Sequence, residues 1–251
     1  MGKWPGLLVL LFFVMAGRGE SLSFTNSIVQ GDVAEKRGDV AGALKAYVAA
    51  DAKATSCGDL CVVTRRYCDL MHDASSPAVQ KDLAAKALAS GLRAEKADPK
   101  SALAHLSVAV CYAKNFPYAD NETKVKWSRA MKTECEQGIA LDPKQDVGYY
   151  LLGRWYFGTA NMNFFAKGVV KLIYGGLPQA SNEDAIKNFK QAITLAPDRI
   201  IHHSELARVY EATGEKKLAI AELEKCARLK PVDRDDQDAK ADAAGRLKAL
   251  K

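Results

Sequence analysis

The sequence predicts an all-α chain, a right-handed solenoid of about five helical hairpins closed by a C-terminal capping helix. Two registers of repeated residues carry the prediction. Ala185, Phe189, Ala192 and Pro197 recur as Ala219, Leu223, Cys226 and Pro231, all at one constant offset. Tyr149, Leu152, Gly153 and Tyr156 recur as His203, Leu206, Ala207 and Tyr210, at a second offset that is also constant and is longer. The difference means that an extra segment separates the two helices of the earlier hairpin, within Gly158–Ser181. Small residues let paired helices approach, and large ones fill the space between them. No single hairpin buries its apolar face alone, so neighbours must stack.

The shorter offset matches the tetratricopeptide (TPR) period of about 34 residues. The chain begins with an apolar run, Leu7–Ala16, after one lysine, with Val14 and Ala16 at the small positions preceding a cleavage site. Residues 1–16 therefore read as a signal peptide and 17–24 as a linker. The run of about ten residues falls short of the ~20 that a spanning helix needs. This predicts export to a periplasm or the extracellular space, with a membrane anchor as the alternative.

The solenoid is expected over 25–235. Its hairpins fall at 25–57, 58–99, 101–143, 146–197 with an insertion at 159–180, and 200–231. In the first, Gly31 precedes Ala43 by the same step that leads from Ala207 to Ala219. In the second, Leu60, Val63, Tyr67 and Leu70 mark a helix that Ser75-Ser76-Pro77 ends. The third carries a shorter insertion around Asn115–Thr123. An acidic turn, Asp233–Asp238, leads into an alanine-rich capping helix at 236–251 whose acidic start and lysine-rich end suit the helix dipole.

Composition narrows the function. The 251 residues are 48% hydrophobic, and the net charge of +6 comes from 36 basic and 30 acidic residues that interleave. Interleaving marks solvated helix faces, so a nucleic-acid partner is not expected. Cys135 and Cys226 take core positions of the repeat. Cys57, Cys61 and Cys68 are close enough for one disulfide, of unassigned pairing, but lack the spacing of a zinc site. His202 and His203 are adjacent and so diverge on a helix. No metal, cofactor or catalytic residue is predicted.

Two surfaces stand out as candidate sites. First helices line the inner wall of a TPR superhelix, and the places just beyond their core residues hold Tyr150, Arg154 and Phe157, then Ser204 and Arg208. Arg154 and Arg208 are equivalent positions. Side by side they would suit a partner protein's anionic peptide segment. In the insertion, a helix at about Asn163–Tyr174 sets Phe165, Val169 and Leu172 against Lys167 and Lys171, and Gly175-Gly176 ends it. Its apolar face is expected to pack back on the solenoid; the alternative is a membrane surface or a partner's groove.

The segment LLGRWYFGTANMNFFAKGVVKLIYGGLPQASNEDAIKNFKQAITLAPD, Leu151–Asp198, resembles the core of the regulator of microtubule dynamics family, whose hairpin here carries a similar basic-apolar insertion. The resemblance spans about Gly58 to Leu250. It implies an all-helical, non-catalytic adaptor, associated in animal members with microtubules and with mitochondrial or reticular membranes. A thiol-dependent redox enzyme using Cys57, Cys61 or Cys68 near His72 is the competing class.

Overall fold

The computed structural model describes residues 23–251. The expected leader at 1–16 and all of the linker but Ser23 and Phe24 lie outside these residues. The first four hairpins pair α1 (Phe24–Lys36) with α2 (Val40–Asp51), α3 (Cys57–Leu70) with α4 (Pro77–Ala97), α5 (Ala102–Asn115) with α6 (Asn121–Leu141), and α7 (Asp146–Ala160) with α9 (Asn182–Leu195). The insertion forms α8 (Phe164–Tyr174), between α7 and α9. Then come α10 (Ile200–Ala212), α11 (Lys216–Arg228) and α12 (Arg234–Leu250). The architecture is an all-helical TPR solenoid.

Local chemistry sets the helix limits. Ser23, Asp39, Ser101, Asp120, Asn163, Ser181 and Asp233 each accept a backbone N–H of the first turn they cap, and Ser56 with Asp59 forms a capping box. Gly38 and Gly214 make the same turn in the first and last hairpins, at φ 74° and 81°, where a side chain would strain the backbone. In the third hairpin the excess becomes a short 3₁₀ turn, Phe116–Tyr118, and a longer α6, 21 residues against 14 in α9.

The core follows the repeat. Phe189 and Leu223 are fully buried at equivalent places, as are Ala192 and Cys226. Phe189 lies so close under Gly153 that a methyl there would come within 2.7 Å of its ring. Gly31 meets Tyr47 more tightly still, since a Cβ at that glycine would overlap the ring. The Tyr47 hydroxyl donates to Asp32 at 2.9 Å or Glu35 at 2.6 Å, which fixes the ring in place. First helices also touch in sequence, α1 with α3, α3 with α5, α5 with α7 and α7 with α10. Together they form the inner wall on which the candidate site lies.

Candidate functional site

Of the five predicted groove residues, two are not available to a partner. Tyr150 is 8% exposed, its ring 6.3 Å from Phe189 and 5.3 Å from His202. Burial pushes its hydroxyl up to about 12. Ser204 is buried and accepts the Arg246 guanidinium at 3.1 Å. The reason is the rotation of α7, which turns Tyr150 inward and leaves Tyr149, the expected core residue, half-buried. Phe157 is half-buried against the core that α7 and α9 share.

The two arginines border one acid. Glu205 sits 3.5 Å from Arg208, and it also acts on Arg154. Arg208 is further held by Asp242 of α12 at 2.9 Å. Arg154 is exposed, with its guanidinium 3.3 Å from the Tyr150 hydroxyl and 5.8 Å from the centre of that ring. The Tyr150 oxygen, and against the cost of burial Glu205 and Asp235, hold it above the ordinary guanidinium range. Among the described residues no carboxylate forms an ion pair with Arg154.

Sequence reasoning missed what faces these arginines. Asp235, Asp238 and Asp242 make a stripe on α12, at helical spacing of three and four. Asp235 lies 3.3 Å from His72 Nε2, and Asp238 3.8 Å from His72 Nδ1. Lys114 closes on the same imidazole at 3.1 Å. The hydrogen bond from His72 outweighs burial and holds the Asp235 carboxyl below its usual range, helped by Lys114. Arg234 reaches Asp73 at 2.5 Å. Only the acidic turn at 233–238 was read beforehand; the partners of the stripe, His72 and Arg208, come from other hairpins.

Two features resemble chemistry and are better explained as structure. Glu95, His105 and Glu134 cluster closely enough to hold a metal. His105, however, spans Pro99 O at 2.9 Å and Glu134 at 2.7 Å, and His203 spans Pro197 O at 2.9 Å and Glu222 at 2.6 Å. The same device thus ties inter-hairpin turn to second helix in both hairpins, and in the second no further acid is needed. Burial lowers the His105 pKa, but the Glu134 carboxylate and Pro99 carbonyl outweigh it and hold the imidazole above its usual range.

The described cysteines are free thiols. Burial, with Cys57 alongside, pushes Cys61 up to about 11, and burial pushes Cys226 up to about 12. A hydrogen bond with Cys68 and burial also raise Cys111. A redox nucleophile requires the opposite shift. His72, the expected helper of such a thiol, is instead engaged by α12.

The insertion helix departs from expectation. It does not pack its apolar face on the solenoid: Phe165 is 82% exposed, Leu172 87% and Val169 40%. Phe164 and Ile173 join them on the outside. Ala166, Val170 and Tyr174 form the helix's half-buried side, and Lys167 and Lys171 are exposed at the flank. Lys167 donates to Ala160 O at 2.6 Å, and with Val170 and Lys171 it lines a cleft against Gly175–Ala180. Arg129 of α6 holds the end of α8 through the Tyr174 and Gly176 carbonyls. With these contacts in place, Phe164, Phe165, Leu172 and Ile173 point away from the solenoid. No helix among the described residues is long and apolar enough to cross a membrane.

Comparison with known proteins agrees with the geometry. A family profile described as RMD1-3, regulator of microtubule dynamics protein 1-3, matches residues 27–251. Mouse regulator of microtubule dynamics protein 1 is 26% identical over 172 residues, 68% of this chain and 56% of its own length. The nematode Caenorhabditis elegans protein of that name is 24% identical over 171 residues, 68% of this chain and 76% of its own length. The chain thus spans about half the length of the mammalian relatives, 54–56% for the first three matched.

Among solved structures, a thermophilic TPR protein of Thermus thermophilus superposes with a TM-score of 0.60, at 18% identity, over 88% of this chain and 99% of its own. This likeness speaks for the fold alone. The relatives also correct one expectation. They are animal proteins named for microtubule dynamics, which belongs to the cytosol where tubulin is, and this overturns the reading of the chain as exported. With its profile matched from residue 27 to the last residue, the chain belongs to the regulator of microtubule dynamics family.

Proposed function

We propose that this chain is a non-catalytic adaptor in the control of microtubule dynamics, and that its inner wall holds an acidic segment of a partner protein. The observation that carries this is the set of basic side chains at that wall, Arg154, Lys114 and Arg208, with the His72 imidazole beside them. Arg154 is exposed there, without an ion pair among the described residues, and His72, Lys114 and Arg208 meet α12 or each other there. A cationic wall in a solenoid of first helices recognises extended or helical acidic chain by charge-assisted hydrogen bonds. An acidic segment at a microtubule surface would have the required chemistry. The raised thiols give no support to the redox alternative.

Arg154→Glu is expected to weaken co-sedimentation of the full chain with microtubules about tenfold, since a hydrogen bond to a charged group contributes roughly 1.5–3 kcal/mol. Its melting transition should fall only slightly, through loss of the Tyr150 contact and a second carboxylate beside Glu205, and Arg154→Ala, which adds no charge, separates binding from stability. Microtubules stripped of such acidic segments should lose binding to the unaltered chain as well. Equal binding by variant and unaltered protein would contradict the groove.

A second surface serves a second role. Between Asn161 and Ala180 there are two lysines and no acid, and the apolar face of α8 points outward. An anionic lipid surface suits that combination: the apolar face enters the headgroup boundary and the lysines stay at its edge. The adaptor would then bring a membrane and a polymer together.

A further inference from the structure

The inner wall is already occupied. We infer that the α12 stripe of Asp235, Asp238 and Asp242 is a tethered ligand of the groove, which a partner's acidic segment must displace; this rests on the groove reading above. The stripe meets His72 of the α3–α4 turn and, through Asp242, Arg208 of α10. Between these ends Asp235 acts on Arg154 of α7 and feels Lys114 of α5. One acidic edge therefore touches His72 of the second hairpin and Arg208 of the fifth and passes Lys114, which meets His72 at 3.1 Å, the line an incoming acidic segment would follow.

Anchoring and occupancy are separate in α12. Asp236 is fully buried and accepts Ile201 N at 3.0 Å and Val232 N at 3.3 Å, with Arg199 at 3.4 Å. Ala243 is 1% exposed in the core with Leu223 and Cys226. These residues fix the helix to the solenoid. The stripe adds nothing to that core: Asp238 and Asp242 are 74% and 45% exposed. Exposed carboxylates contribute little to stability, although Asp242 also pairs with Arg246 of its own helix at 2.9 Å. Because Asp236 and Ala243 hold α12 in place, the stripe is presented to the wall already ordered, at a smaller entropic cost than a free competitor meets.

The test uses the full chain and a labelled peptide with the sequence of residues 232–244. The unaltered protein should bind it weakly. Asp235→Asn, Asp238→Asn and Asp242→Asn together, with Asp236 intact, should raise its affinity at least tenfold, and adding Arg154→Glu should cancel the gain. In the unaltered chain, saturating peptide should speed amide exchange in the first two turns of α12, a readout that needs no variant. No gain in affinity, or unchanged exchange under saturation, overturns the tethered ligand. If Arg154→Glu still weakens microtubule binding, the groove itself survives that result. If Arg154→Glu leaves microtubule binding unchanged, the groove fails and takes the tethered ligand with it.

Discussion

Phe189→Ala is expected to lower the unfolding free energy by about 3–5 kcal/mol, the range for removing a buried aromatic ring. The ring is fully buried between α7 and α9, its edge lies beneath Gly153, and Tyr150 is tilted across it at 6.3 Å. The cavity would be hard to collapse. Gly153 has no side chain to move in, and α7 and α9 already pack closely on either side of the ring. Urea unfolding followed by circular dichroism measures the loss. Because neighbouring hairpins stabilise one another in a solenoid, the fourth hairpin should unfold first and broaden the transition. A loss under about 1 kcal/mol, well below the cost of a buried cavity, would show that the close packing at Gly153 is not what joins α7 to α9.

The double substitution Phe165→Asp with Leu172→Asp should leave that same unfolding transition unmoved while abolishing attachment to vesicles. Both side chains are more than four-fifths exposed, so the fold loses no contact when they change. On a lipid surface each would bury apolar area that contributes roughly 1.5–3 kcal/mol. Losing two such contributions, and adding two negative charges beside an anionic headgroup layer, should reduce vesicle binding more than tenfold. Co-sedimentation of the full chain with phosphatidylserine-containing vesicles reads this directly. Equal pelleting of variant and unaltered protein would contradict a lipid-facing α8, and a fall in melting temperature would show that the face packs on protein.

The fold was legible because its cause is periodic. Phe189 and Leu223, or Ala192 and Cys226, sit one repeat apart since each hairpin must offer its neighbour the same shape. The excess of one register over the other locates α8 without coordinates. What the period leaves open is rotation. Tyr149 and Tyr150 are adjacent aromatics of the same size, and the repeat fits either as the core residue; packing against Phe189 and His202 selects Tyr150. The amphipathic pattern of α8 fixes two faces but not which one looks outward. The contacts that accompany the outcome, the Lys167 bond to Ala160 and the grip of Arg129, are not periodic.

The occupant of the groove was the least legible feature. Arg234 and Asp73 meet across 161 residues of sequence, and Asp235 meets His72 beside them. Such pairs depend on how tightly the stack of hairpins curls, a sum of small rotations no single segment encodes. The acidic turn at 233–238 read as a helix start that suits the dipole, and it is one, since Asp233 caps α12. Its second use needed the wall opposite.

The measurement that bears most directly on the adaptor reading is photocrosslinking from position 158 of the full chain. Gly158 is exposed one turn beyond Arg154, and a side chain there would meet nothing within 4 Å. With a photoreactive residue at 158 and purified microtubules, crosslinks should map to an acidic tubulin segment and vanish when Arg154→Glu is added. Crosslinks that persist in the Arg154→Glu background, or that form only when the photoreactive residue is moved to Phe165 on α8, would contradict it.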